Sequence, residues 1–157
     1  SAKLSGALHA RMARPGEKLF LLNEQTINID SDILVIADDV KALAMAGVMG
    51  GEESSVTLET TELLLESAFF APKAIAGRAR QYGFSSDASH RFERGVDFGG
   101  ARRAIERTTR LILDICGGAA GPVVEARAEM PARKLVRLRT DRAAKVLGMA
   151  ITAEQIA

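Results

Sequence analysis

One carboxylate in this chain stands where a carboxylate is costly. Glu66 follows three leucines and precedes Ser-Ala-Phe-Phe in LLLESAFF, residues Leu63 to Phe70. Taking an ionised carboxylate out of water is expensive unless a polar group meets it. Glu66 therefore has either a structural partner, for which Arg78 and Arg91 are the candidates, or a ligand. Two flanking stretches, GVMGGEES (Gly47 to Ser54) and SSDASHRFERGVD (Ser85 to Asp97), are rich in Gly, Ala and Ser and suit the lining of a small pocket.

No conventional nucleophile accompanies them. Cys116 lies on an apolar helical stripe and is expected in the core. His9 falls in an expected strand and His90 in an expected short helix, where a capping or surface role outweighs that of a base. No Cys/His cluster has zinc-ligand spacing, and there is no GxxxxGK[ST] phosphate loop. In the HRFERG run, Arg91, Glu93 and Arg94 read as an ion-pair network.

The elements that must position these groups are short. Apolar or β-branched runs at Lys18 to Leu22, Thr26 to Ile29, Ile33 to Ala37, Leu43 to Val48 and Glu62 to Phe69 read as strands separated by turn residues. Pro72 opens a helix through about Tyr82, closed by Gly83. Ser86 or Asp87 caps a second helix ending at Gly95. Asp97 caps the longest, whose stripe Ala101, Ala104, Ile105, Thr108, Leu111, Ile112, Ile115 recurs at helical spacing until Gly117-Gly118. A second, helical unit starts near Arg133, with a strand-like Leu135 to Leu138, an N-cap at Thr140 or Asp141, and a new helix from Thr152.

Strands first and helices later argue an α+β fold: a strand-rich, partly barrel-like sheet domain with helices on one side, then a truncated helical unit. The expected boundaries are 1–124, a linker at 125–133, and 134–157. The chain has 157 residues, 47% apolar and 26% charged, enough for a real core. A net charge of +1 gives no bulk attraction to nucleic acid or membrane. Six lysines against fifteen arginines fit phosphate contacts, but a GC-rich genome gives the same bias. One cysteine suits a reducing cytoplasm, and no run approaches a membrane span. Ser-Ala-Lys-Leu at one end and Gln155-Ile156-Ala157 at the other read as cuts through a larger protein.

The ordered series KALAMAGVMGGEES, LLLESAFFAPKAIAGRARQYGFSSDASHRFERGVD and LILDICGGAAGP resembles the editing module of the bacterial phenylalanine–tRNA ligase beta subunit, from about Lys3 to Pro122. The tail KLVRLRTDRAAKVLG resembles the opening of that subunit's next domain. The resemblance implies an (αβ)₂ enzyme joining phenylalanine to its tRNA with ATP and Mg²⁺ bound elsewhere, its aminoacylation site on the alpha subunit. It implies no cofactor or metal in this piece. The module itself would hydrolyse tyrosine misplaced on the phenylalanine tRNA, without membrane or DNA partners. A pocket shaped for phenylalanine rejects an added hydroxyl only about 10²-fold, so a second site built around an acceptor for the phenol makes sense.

Glu66 matches the family's phenol-recognising glutamate, and Gly50 and Ala88 its small wall residues. Ser86 stands where relatives often carry threonine, so the resemblance implies a hydroxyl there that orients a water. Phe98-Gly99-Gly100 stands where they tend to have Pro and acidic residues. A histidine of the family's GQPxHAFD segment falls just before Ser1, so part of the site is expected to lie outside this piece. Two other readings stay open: a tRNA-binding and subunit-assembly scaffold, and a nucleic-acid-binding role for the Arg-rich C-terminal unit.

Overall fold

Alternation of apolar residues with turn signals lays down short antiparallel strands. In a computed structural model, residues 3–132 and 135–156 are described. They fall into two units, Ser1–Ala120 and Gly121–Ala157. In the first, β1 (His9–Met12), β4 (Leu34–Ala37), β5 (Ala42–Met45) and β6 (Met49–Gly50) form a four-stranded sheet in the order β1-β4-β5-β6. A second sheet pairs β2 (Lys18–Phe20) with β3 (Thr26–Asn28). The fold is α+β, as expected from sequence, and the larger antiparallel sheet is open and does not close into a barrel.

The two sheets meet at β6. The Leu22 amide donates to Gly50 O at 3.1 Å, Leu21 bridges Gly51, and the Glu52 amide donates to Phe20 O at 2.8 Å. One face of each strand goes into the core. Val35, Ala37 and Met45 are buried, whereas Ile36 and Ala44 alternate to the other face. Around Leu21, Ile33, Val35, Met45 and Ile75 the core is sealed, with Phe70 and Phe92 stacked on it at 5.1 Å between ring centroids. Buried Asp38 closes the β4–β5 turn. Its carboxylate accepts from the Ser5, Val40 and Lys41 amides, and those bonds hold its pKa below the usual carboxylate range.

Between β5 and α2, three expectations change. The run 43–48 is not one strand, because Gly47 takes a left-handed φ of 66° and turns β5 into β6. A side chain there would also sit 2.9 Å from Phe70. The run Glu62 to Phe69 joins no ladder among the described residues and runs as an irregular segment. The helix from Pro72 breaks at Gly77 (φ 77°) into α1 (Pro72–Ile75) and α2 (Arg78–Gln81).

Next come α3 (Asp87–Phe92), a 3₁₀ turn at Phe98–Gly100 capped by Asp97, and α4 (Ala101–Cys116) ending at Gly117. No position of α4 is buried, and Cys116 is exposed rather than in the core. The amphipathic stripe exists, but Leu111 and Ile115 face solvent at 40% and 79% exposure.

The second unit carries α5 (Thr140–Leu147), ended by Gly148 at φ 69°, and α6 (Ala153–Ile156). Arg139, not Thr140 or Asp141, precedes the first turn of α5, with no side-chain cap. Leu135 to Leu138 forms no strand. The expected unit start at Arg133 and Lys134 lies outside the described residues. Among the described residues no helix is long and apolar enough to cross a membrane.

Candidate functional site

A cleft of about 540 Å³ opens on the side of the sheet that faces away from the core, a size suited to a small-molecule ligand. One wall is sheet, supplied by Ile36, Ala44, Gly50 and, from beyond β2, Leu22. The other is the irregular strap from Ser54 to Glu66. Both strap ends are fixed. Ser54 Oγ donates to Gly51 O and Leu43 O, and past the far end Ser67 Oγ donates to Ala101 O at 2.9 Å. Between them the strap is held by a Thr57–Thr60 turn and by Lys3 Nζ donating to Ser55 O at 2.7 Å.

Glu66 lines this cleft together with Gly50. Enough protein crowds its carboxyl group to strip water from it, and that desolvation raises its pKa above the ordinary glutamate value. The residue nonetheless stays open to the cleft. Among the described residues no hydrogen bond or ion pair meets this carboxylate. The two arginines that could have neutralised it are engaged elsewhere: Arg78 with Asp32, and Arg91 with Asp87 at 2.9 Å. The group is thus partly desolvated and uncompensated, an arrangement that favours a ligand hydroxyl as donor.

Ser86 and Ala88 are not among the described residues that line the cleft. Ser86 is the N-cap of α3. Its Oγ accepts from the Ser89 amide at 3.0 Å and donates its one proton to Val48 O at 2.5 Å, while Ser89 Oγ accepts from the Ser86 amide. That hydroxyl ties α3 to the β5–β6 turn beside Gly50. Ala88 is part-buried in the first turn of α3. His9 pairs with Asp39 at 2.7 Å, His90 Nδ1 accepts from Arg94 at 3.0 Å, and neither lines the cleft. Among the described residues no group of three His, Cys, Asp or Glu side chains is placed to hold a metal ion.

The B3/4 domain family matches residues 1–117, three quarters of the sequence. The chain belongs to that family. Phenylalanine–tRNA ligase beta subunits are similar to this B3/4 chain along its length. That of Dechloromonas aromatica is 75% identical over all 157 residues, which are 20% of that protein. That of Chromobacterium violaceum is 60% identical over 99% of the chain and 20% of its own length. In Aromatoleum aromaticum the figures are 63%, 95% and 19%. The chain therefore spans about a fifth of the relatives it matches.

Within the B3/4 domain the site has more contributors than local sequence suggests. Ile36, Ala44 and Leu22 line it beside Gly50. The available signal was period-2 alternation in LVIA and ALAM, which puts Ile36 and Ala44 opposite the core positions. The Ser86 geometry gives an expected result. Ser86→Ala removes a cap and leaves Val48 O without its donor, costing about 1–2 kcal/mol, while Ser86→Thr keeps most of that. Urea denaturation at pH 7 measures both, and equal midpoints for Ala and wild type would contradict the tether.

Proposed function

We propose that this chain is the proofreading segment of a phenylalanine–tRNA ligase beta subunit, hydrolysing the ester of tyrosine misplaced on the phenylalanine tRNA. The observation that carries this reading is the unpartnered, partly desolvated Glu66 carboxylate opening on a cleft whose sheet wall is stripped to hydrogen at Gly50. A tyrosine phenol donates to that carboxylate. A phenylalanine ring leaves it unpaired, which disfavours the correct amino acid by about 1–3 kcal/mol. The family match and the ligase relatives support the same assignment.

Water attacks the ester carbonyl carbon, the bond to the ribose oxygen breaks, that oxygen takes up a proton, and free tyrosine leaves. An ester needs mainly positioning and donors to the developing oxyanion. Ser86 acts here by holding α3 against the β5–β6 turn, and Ala88 keeps the first turn of that helix small. ATP and Mg²⁺ serve the joining reaction on the alpha subunit of an (αβ)₂ cytoplasmic enzyme.

The uncovered stripe of α4, with Leu111 and Ile115 exposed, favours a second reading in which the segment is chiefly a subunit-assembly and tRNA-binding scaffold. Deacylation of phenylalanine tRNA carrying either tyrosine or phenylalanine, by the chain and by the complete ligase, separates the two. Tyrosine is expected to leave faster than phenylalanine, with no burst of acyl-enzyme under rapid quench. Equal rates for the two esters in the complete ligase would leave only the scaffold.

A further inference from the structure

Three backbone pairings line up across the sheet and set the shape of the cleft floor. Ile36 is opposite Ala44, Ala44 is opposite Gly50, and the Leu22 amide donates to Gly50 O. Directly paired residues of antiparallel strands present their side chains on one face, and all four line the cleft. Read across the strands, the rung is large, methyl, hydrogen, large. At about 4.8 Å between strands, the two small positions open a trough roughly 10 Å wide before Ile36 and Leu22 lean over it. Such a slot accepts a flat ring.

Leu22 is held in an unusual way. Its backbone is fixed by the bond to Gly50 and by its neighbour Leu21, which is fully buried and bridged to Gly51. Its side chain is free, 55% exposed at the cleft. A Cβ at Gly50 would lie 3.2 Å from Leu22 Cδ1 and 3.8 Å from its Cγ, and it would meet nothing else within 4 Å. A side chain at position 50 therefore acts by displacing Leu22.

We infer that Leu22 and Ala44 determine which aromatic rings this site accepts, Ala44 as the floor under the ring and Leu22 as its movable outer wall. The inference rests on the ester-hydrolysis reading above. The substrates it distinguishes are aminoacyl esters whose rings carry the para hydroxyl but differ in bulk beside it.

The test uses the complete ligase and phenylalanine tRNA charged with tyrosine or with 3-iodotyrosine. Ala44→Leu raises the floor and is expected to slow tyrosine release about tenfold or more. Leu22→Ala is expected to raise the rate for 3-iodotyrosine relative to tyrosine by about tenfold, whereas Leu22→Met, of similar volume, keeps the wild-type ratio. Gly50→Ala slows tyrosine release. Adding Leu22→Ala to it restores the rate of the Leu22→Ala single variant, a non-additive pair as expected for residues in contact.

Glu66→Gln is run alongside, with thermal melts for every variant. If it slows tyrosine release while the Leu22 variants leave the ring preference unchanged and the double variant is merely additive, the inference is overturned and the hydrolysis reading stands. If Glu66→Gln changes nothing, both fall. Should Gly50→Ala not fold, the Leu22→Ala and Leu22→Met ratios decide alone, since an exposed side chain can be shortened without emptying the core.

Discussion

Replacing Glu66 by glutamine is expected to slow tyrosine release from the phenylalanine tRNA roughly 10- to 100-fold, the worth of one charge-assisted hydrogen bond, with little change for phenylalanine. The same variant should be at least as heat-stable as wild type at pH 7. Desolvation raises the carboxyl pKa in the folded chain, so the native state binds that proton more tightly than the unfolded state does. The resulting stabilisation is complete below about pH 4.3, the unfolded value, and is lost as pH rises through the raised native value. At pH 7 the ionised carboxylate of wild type carries a partial desolvation cost that glutamine does not. Activity runs the opposite way: the preference for tyrosine should weaken as pH falls through the raised pKa, because the acceptor loses its charge. A variant less stable than wild type at pH 7, with unchanged tyrosine release, would mean that Glu66 serves the fold instead.

Gly51→Ala is expected to be the most damaging small substitution in the cleft, at a cost of about 3 kcal/mol. Its Cβ would fall 2.5 Å from Leu43 O, a backbone atom, and 3.1 Å from Leu19 Cδ1. The Gly51 amide donates to that same carbonyl at 2.8 Å, so relieving the clash breaks the bond. Gly50→Ala, one residue earlier, meets only the movable end of Leu22 and should leave stability nearly unchanged. Urea midpoints at constant m-value compare the two directly. Equal midpoints would show that the hairpin yields more readily than its geometry implies.

The parts of this site that were legible in the sequence are those whose cause is local. A carboxylate after three leucines announces its own desolvation, Ser86 opens a helix by a side-chain bond to an amide three residues on, and glycines mark the turns that end α3 and α4. Nonlocal causes were not legible. Whether an apolar run such as Glu62 to Phe69 becomes a strand depends on a partner strand being placed beside it, and among the described residues none pairs with it. Strand pairing likewise hid Leu22, Ala44 and Ile36 as neighbours of Gly50, since their rung exists only once β4, β5 and β6 are paired. Cys116 sits at an apolar helical position, and periodicity says which face would be covered, never whether anything covers it.

The two-residue strand Met49–Gly50 of the larger sheet is also the seam to the smaller one: it pairs with Ala44 and Met45 on one side, and on the other Leu22, just past β2, bonds to Gly50. Neither sheet can fray at that seam independently, so the pair should open as one cooperative unit. A ligand lying on the seam thereby stiffens the whole strand-built half of the segment from a single point of contact.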